Sequence, residues 1–174
     1  MAAALELYGE RGFEQTTAQE VAERAGVTER TFYRHFADKR EVLFSGSQIL
    51  QDLIVTAIVE APPELGPVAV VGSAMESAGV YFERDRARSR NALIIANPSL
   101  HERELLKLAN LGAAVAQALR DRGVAEIPAR LAAEVGVTAF GVGFEIWIAD
   151  DNTDEFAVCV RNTLDRLRET VSDG

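Results

Sequence analysis

The residues most suited to chemistry lie in one short stretch, AGVTERTFYRHF, at positions 25–36. It combines two arginines and a histidine with three aromatic residues and two threonines. Guanidinium groups donate paired hydrogen bonds to guanine, and hydroxyl and imidazole groups bind phosphates. Over residues 28–40, four basic side chains outnumber two acidic ones. Such a composition is typical of a surface that binds a polyanion.

The rest of the chain is acidic, with a formal net charge of −9 over 174 residues. Most of that negative charge lies beyond residue 46. A local basic patch attracts a polyanion even when the protein as a whole is negative, so DNA remains a possible partner.

The elements that must position this patch are two short helices. Residues 17–20, Thr-Ala-Gln-Glu, form a capping box that starts one helix at Ala18, and Gly26 is a left-handed stop. Thr28 then caps a second helix that runs through Phe36. A helix, a glycine turn and a helix in this spacing predict a helix-turn-helix, whose second helix enters the major groove of DNA.

On the second helix, Phe32 and Phe36 share one face and are expected to pack on the core. The opposite face carries the side chains that we expect to read bases, namely Arg30, Thr31 and Arg34. We expect phosphate contacts from Thr17, Thr28, Tyr33, His35 and Lys39. The alternative is an ordinary amphipathic helix with a basic, solvated outer face.

Apolar residues recur at three- and four-residue intervals along the whole chain, and strand signals are nearly absent, which predicts an all-α protein. We expect a three-helix head at residues 1–46 and a larger helical body at 47–174, joined by a fourth helix that Asp38 caps. The predicted helices cover residues 2–11, 18–25, 28–36, 38–59, 67–84, 86–97, 100–122, 128–149 and 153–171.

Other classes of function have little support. His35, His101 and Cys159 are too scattered for a recognisable metal site, and no phosphate loop or nucleophile elbow is present, so we expect no cofactor and no enzyme. The amino terminus does not resemble a secretion signal, and the longest apolar run, residues 135–149, is too short to span a bilayer. We expect a cytoplasmic protein.

Residues 12–43, GFEQTTAQEVAERAGVTERTFYRHFADKREVL, resemble the DNA-binding head of the TetR family of bacterial transcriptional regulators. The shared pattern includes Gly-Phe, paired threonines, Ala-Gly-Val and aromatic-Tyr-x-His-Phe with a following lysine. The resemblance implies a homodimer whose body encloses a small-molecule pocket, and whose heads release DNA when the ligand enters. Members of the family usually begin several residues earlier, often with a basic arm, to which we assign no contacts here.

An apolar stripe on the last predicted helix needs a partner surface, and glycines in the preceding helix permit close approach of another helix. A dimeric four-helix bundle and a single monomeric core explain both features; the resemblance favours the dimer. The residues expected at this dimer interface are Gly141, Phe156, Val160, Leu164 and Leu167.

The ligand pocket is expected among apolar residues of the body helices, with small residues such as Gly112 leaving space. The candidates are Met75, Phe82, Leu108, Leu111, Phe140, Phe144 and Trp147, for each of which an ordinary core position is the alternative. Few buried polar residues accompany them, which favours an apolar or aromatic effector.

The sequence therefore predicts a ligand-responsive DNA-binding regulator that acts as a homodimer on a palindromic double-stranded operator. Of the two modes of regulation we favour repression. The alternative is a helical protein-interaction module without sequence-specific DNA binding; a helical enzyme comes third. The arginine-rich residues 84–90 are either a second DNA contact, a hinge or a solvated charged face.

Overall fold

The computed structural model describes residues 1–172, and over this range the chain forms nine α-helices, two short 3-10 helices and no strand. The all-α prediction is confirmed. The α-helices are α1 Ala2–Arg11, α2 Ala18–Arg24, α3 Glu29–His35, α4 Ser47–Glu60, α5 Pro67–Ser77, α6 Arg84–Ala96, α7 Pro98–Asp121, α8 Glu126–Ile148 and α9 Phe156–Ser172. The 3-10 helices are Glu41–Phe44 and Ala78–Tyr81.

The chain divides into two compact units, and the first of them, the head, combines residues 1–48 with residues 85–105. The second, the body, contains residues 49–84 and the chain from residue 106 onward. The sequence division after residue 46 does not anticipate that residues 85–105 group with the amino-terminal helices. The reason is apolar packing, because Ile94 of α6 and Leu100 of α7 belong to the buried core of the head.

The core of the head is built from the inward faces of α1, α2 and α3 together with the 3-10 helix that follows them. Its largest members, all almost fully buried, are Leu7, Tyr8, Phe13, Phe32, Leu43, Phe44, Ile94 and Leu100. Phe32, from the middle of α3, is 4% exposed. The recognition-type helix is therefore anchored by one aromatic side chain.

The predicted fourth helix is wrong in its first part. Asp38 accepts hydrogen bonds from the backbone amides of Arg40 at 2.8 Å and Glu41 at 3.2 Å, but the turn that it caps is the 3-10 helix Glu41–Phe44. The α-helix α4 begins only at Ser47. Ser45 and Gly46 separate the two pieces, and glycine has a low helix propensity.

In the body, α5, α8 and α9 pack against one another. Two glycines of α8 permit this. A Cβ atom on Gly136 would lie 2.1 Å from the Cγ1 of Val71 on α5, and one on Gly143 would lie 2.9 Å from the Cα of Val160 on α9. Close approach at these glycines is what we expected, but the neighbouring helices belong to the same chain.

Three residues predicted at the dimer interface lie instead inside the protomer. Phe156, Val160 and Leu164 of α9 are buried, the last only 3% exposed, because they pack against α5 and α8. Burial of these three residues within one protomer is what the monomeric-core alternative predicts. Leu167 is partly exposed, and the side of Gly141 where a Cβ would stand has no neighbouring atom within 4 Å.

Two apolar stretches, Glu41–Glu60 and Glu126–Ile148, are long enough and apolar enough to cross a membrane by length and composition alone. Glu126–Ile148 is α8, the helix whose glycines contact α5 and α9. A central helix of a water-soluble protein satisfies the same criterion, so these stretches carry little weight.

Candidate nucleic-acid interface

The turn between α2 and α3 is fixed by its own backbone hydrogen bonds. Gly26 has a φ of 71°, and its amide donates to Glu23 while the amide of Val27 donates to Ala22 at 2.9 Å. This is the Schellman arrangement, which ends a helix and favours glycine at the left-handed position. The turn that the sequence predicted is therefore formed by the residue expected to form it.

Capping fixes the start of α3. The Thr28 hydroxyl accepts a hydrogen bond from the amide of Thr31 at 3.2 Å and lies 3.0 Å from the Thr31 hydroxyl. Phe32 contacts the rings of Tyr33 and Phe36 at centroid distances of 5.3 Å in both cases. Because the buried Phe32 sets the rotation of α3, the neighbouring positions on the helix point outward.

The outward face of α3 carries Arg30, Tyr33, Arg34 and His35, all of which are exposed. Tyr33 is 53% exposed although it is aromatic. Arg34 and His35 contact each other, with Nη2 3.4 Å from Nε2. Among the described residues, the Arg30 guanidinium has no hydrogen-bond or ion-pair partner. The structure thus brings two cations and a phenol together on one solvent-facing surface.

Thr17 stands at the start of α2, where the predicted capping box is present. Its hydroxyl accepts from the Glu20 amide at 3.1 Å and donates to the Glu20 carboxylate at 3.0 Å. These bonds to Thr17, the backbone bond first, lower the pKa of Glu20 below its usual value. A phosphate contact would require the exposed Thr17 hydroxyl to exchange its carboxylate partner.

Lys39 has partners inside the head. Its ammonium donates to the carbonyl oxygens of Phe13 at 2.8 Å, Thr16 at 3.1 Å and Glu14 at 3.3 Å. It also lies 4.3 Å from the centre of the Phe13 ring. An ammonium group has three hydrogens to donate, and each has an acceptor here. We therefore remove Lys39 from the set of expected phosphate contacts.

Sequence reasoning did not identify the arginines of α6 and α7 that contact the 3-10 helix following α3. Arg90 of α6 donates to the Leu43 carbonyl and to the Glu104 carboxylate, both at 2.8 Å, and its guanidinium lies over the Phe44 ring. Arg103 forms an ion pair with Glu41 at 3.1 Å. These partners are far apart in the sequence, so residue spacing gives no sign of them.

In the body, four of the seven predicted pocket residues form one group of touching rings. Phe82, Phe140, Phe144 and Trp147 lie together with Phe156, and neighbouring ring centroids are 5.2–6.0 Å apart. We call these five residues the aromatic cluster. Such distances are those of packed rings, which favours the core alternative for these positions.

The other three predicted pocket residues, Met75, Leu108 and Leu111, are apolar positions of α5 and α7, and Met75 and Leu111 are buried. Arg84 borders the aromatic cluster, with its guanidinium 5.3 Å from the Trp147 ring centre. It donates to the carbonyls of Asn152, at 2.6 Å, and Asp154. Arg84 and Arg90 are thus not members of a solvated charged face.

The structure has two grooves away from the predicted pocket residues. One of about 490 Å³, between α8 and α9, is lined mainly by polar residues. The other, of about 260 Å³, is an apolar groove in the head beside α3, with Thr31, Phe32, His35 and Phe36 in its wall. None of the seven predicted pocket residues lines either groove.

A Schellman turn between two capped helices, with cations on the outer face of the second, defines a helix-turn-helix DNA-binding protein with a separate helical body. Residues 1–45 match the family model of the bacterial regulatory proteins of the tetR family, and residues 65–172 match that of the MftR C-terminal domain. The chain belongs to the TetR family of transcriptional regulators. It is a DNA-binding regulator and not an enzyme.

Individual relatives agree with this assignment. The HTH-type transcriptional regulator TcmR of Streptomyces glaucescens is 34% identical over 74 residues, which are 42% of this chain. The matched segment spans only about a third of TcmR (33%).

The fold matches solved structures over nearly the whole chain. A TetR-family regulator of Mesorhizobium loti has a TM-score of 0.61 at 22% identity, covering 98% of this chain and 92% of that one. The repressor FadR of Thermus thermophilus, solved with lauroyl-CoA, has a TM-score of 0.56 at 24% identity, covering 97% and 91%. At these identities the likeness concerns the fold alone.

Proposed function

We propose that the protein is a cytoplasmic, ligand-responsive repressor that binds a palindromic operator as a homodimer and leaves it when a small apolar or aromatic effector binds the body. The observation that carries the DNA-binding part is the outward face of α3, where Arg30, Tyr33, Arg34 and His35 surround the buried anchor Phe32. Regulators of this family bind operators, act as dimers and bind effectors.

Within this surface, we assign base reading to Arg30, Thr31 and Arg34, since their side chains extend from the helix that enters the major groove. Tyr33, His35, Thr28 and Thr17 are assigned to phosphates, because hydroxyl and imidazole groups that bind phosphates fix the position of the protein on the duplex. Thr28 and Thr17 cap α3 and α2, and an exposed cap hydroxyl on a helix that faces DNA can also serve a phosphate, which supports this assignment.

The deciding experiment is the selection of bound duplexes from a random pool, in which an enriched palindrome with half-sites about 34–36 Å apart, or a multiple of that distance, supports the proposal. With that duplex, Arg34→Ala should cost about 1–3 kcal/mol and relax the preference at one position. Arg168→Ala, which removes an exposed arginine of α9, is the matched control and should bind normally. An Arg34→Ala variant that weakens all duplexes equally contradicts the base-reading role.

For the homodimer, we propose that the outer face of α8 forms the interface. Its exposed apolar residues recur on one side of the helix: Ile127, Leu131, Val142 and Ile146 are 72, 61, 42 and 45% exposed. Gly141, predicted at the interface, lies beside this stripe and has open space where a Cβ would stand. An apolar stripe of this length on a helix that is buried on its other side fits a second copy of the same surface.

Sedimentation of Leu131→Arg and Val142→Arg variants tests this interface, because a charge buried between two copies costs several kcal/mol. We expect folded monomers at micromolar concentration that bind the selected duplex poorly. Ala113→Arg, at an exposed position of α7, should remain dimeric. Dimers that survive both α8 substitutions place the interface elsewhere.

For the effector, we propose a site formed by the aromatic cluster together with the predicted pocket residues of α5 and α7. Phe82 and Phe144 are only half-buried, so an effector that separates these two rings gains contact with the rest of the cluster. Exchanging ring contacts for ligand contacts suits an apolar or aromatic molecule. The lauroyl-CoA bound by the Thermus thermophilus FadR makes acyl-CoA compounds a sensible part of the panel.

Trp147 is the only tryptophan of the chain, so its fluorescence reports directly on the cluster. A panel of aromatic, aliphatic and acyl-CoA compounds should contain one that changes this fluorescence and weakens operator binding. By reciprocity, a tenfold loss of operator affinity, about 1.4 kcal/mol, must be matched by an equal loss of effector affinity on DNA. Ile95→Ala, at an exposed position of α6, is the control and should retain the response. No fluorescence change across the panel speaks against this site.

A further inference from the structure

The ammonium of Lys39 closes a loop of the head. The loop comprises residues 12–16 and joins α1 to α2, and Lys39 donates to three of its carbonyl oxygens, those of Phe13, Glu14 and Thr16. Its position over the Phe13 ring adds a cation–π contact, which is attractive when the cation lies within about 6 Å of the ring centre. A single side chain thus satisfies three backbone acceptors of one turn.

Other contacts hold the same assembly. Thr16, the one polar residue described as buried, donates its hydroxyl hydrogen to the Gly12 carbonyl at 2.9 Å. The phenol of Tyr8, on α1, donates to the backbone carbonyl of Lys39 at 2.8 Å. Burial raises the pKa of that phenol, so it stays a hydrogen-bond donor. Lys39 is therefore fixed at both its backbone and its side chain.

The loop leads directly into Thr17, the cap of α2, and the first residues of α2 follow. Any displacement of the loop therefore displaces the start of α2. In a helix-turn-helix the first helix crosses the DNA backbone, so the position of its first turn decides whether its donors reach a phosphate.

We propose that Lys39 is a positioning residue for DNA binding: its ammonium holds the loop at residues 12–16 and thereby places the start of α2 against the DNA backbone. The inference rests on the proposed DNA-contacting role of the start of α2. It differs from a phosphate contact in one measurable respect. A cation that neutralises a phosphate releases a counterion and adds about 0.9 to the log–log salt slope, whereas a cation bonded to loop carbonyls does not.

The test compares the wild type, Lys39→Met and Arg34→Met on the duplex recovered by selection, at several salt concentrations and at a temperature where all three are folded. Lys39→Met should bind every duplex roughly tenfold more weakly with an unchanged salt slope. Arg34→Met, which removes an exposed cation assigned to base reading, should instead relax the preference at one position of the duplex. A slope reduced by about 0.9 in Lys39→Met identifies a phosphate contact and overturns the proposal, as does wild-type affinity in a variant that merely melts earlier.

A second readout needs no DNA. In Lys39→Met, amide hydrogen exchange should accelerate from residue 14 to residue 21 and stay unchanged in α9, whereas unchanged exchange in the loop overturns the proposal. This readout remains informative if the selection yields no duplex, which would count against the proposed function instead. Should Lys39→Met fail to fold, Thr16→Val carries the test, since it removes the hydroxyl bond to Gly12 without changing charge. It too should weaken binding at constant slope, and wild-type affinity in Thr16→Val contradicts the role of the loop.

Discussion

The helices α3 and α9 are both amphipathic, and each buries its apolar face in a core of its own protomer. In α3, Phe32 enters the core of the head, and the opposite face is left to cations and a tyrosine. In α9, Val160 and Leu164 enter the core of the body, although the sequence stripe had been assigned to a second copy. An apolar stripe in the sequence therefore predicts that its residues are buried, but it does not identify the surface against which they pack.

The glycines of the body make the same point. Gly136 and Gly143 are sites of close helix approach, as predicted, but their neighbours Val71 and Val160 belong to the same protomer. The exposed apolar stripe is on α8, on the side of the helix next to Gly141. Substitutions in the buried stripe of α9 and in the exposed stripe of α8 therefore separate packing within the protomer from contact with a second copy.

The largest expected effect is that of Leu164→Arg. Leu164 is 3% exposed and its Cδ1 would be 2.8 Å from a Cβ on Gly72, so an arginine here is buried without a partner. We expect a loss of about 4 kcal/mol or more of unfolding free energy, and thus an unfolded or aggregated protein. Urea denaturation followed by circular dichroism measures it.

Leu131→Arg is the matched variant, because Leu131 is 61% exposed on the neighbouring helix α8. It should leave the unfolding free energy of the isolated protomer within about 0.5 kcal/mol of the wild type while abolishing the proposed dimer. A folded, monomeric Leu164→Arg protein would restore the interface that the sequence first suggested.

The next effect concerns the head. Ile94 of α6 is buried in the core of the head, although it lies far along the chain from α3. Ile94→Ala should cost about 2–5 kcal/mol and weaken DNA binding at temperatures where the head begins to unfold. Its neighbour Ile95 is 69% exposed, so Ile95→Ala should change stability by less than about 0.5 kcal/mol. Equal effects of the two substitutions contradict the inclusion of α6 in the head.

What the sequence predicts well is local. The capping box at Thr17, the left-handed Gly26 and the cap at Thr28 act within six residues of themselves, and the structure contains all three. The first helix also begins at Ala2 and ends at Arg11 as predicted.

What it misses is tertiary. The break at Ser45 and Gly46, the bonds of Lys39 to a loop more than twenty residues earlier, and the contribution of α6 to the head all depend on contacts between distant residues. From its side-chain type alone, Lys39 was expected to contact a phosphate, because a lysine next to a helix-turn-helix is a good phosphate ligand. Only its three carbonyl partners reveal another use.

The smallest expected effect is a pH dependence of the head. Asp38 accepts hydrogen bonds from the Arg40 guanidinium at 3.0 Å and from two backbone amides, and the Arg40 side chain is the main reason that the pKa of Asp38 lies below its usual value. Because the folded pKa is lowered, the ionised carboxylate stabilises the head above its ordinary pKa of about 4, and this contribution disappears as the pH falls through the lowered value.

Asp38→Asn should therefore lower the free energy of unfolding by about 1 kcal/mol at pH 7 and by almost nothing near pH 2. The effect is small because Asp38 is partly exposed. Urea denaturation at both pH values measures the difference, with Glu64→Gln, an exposed carboxylate of the turn before α5, as the control. A cost for Asp38→Asn that is the same at both pH values would mean that the ion pair contributes nothing and that only the hydrogen bonds to the backbone hold the 3-10 helix.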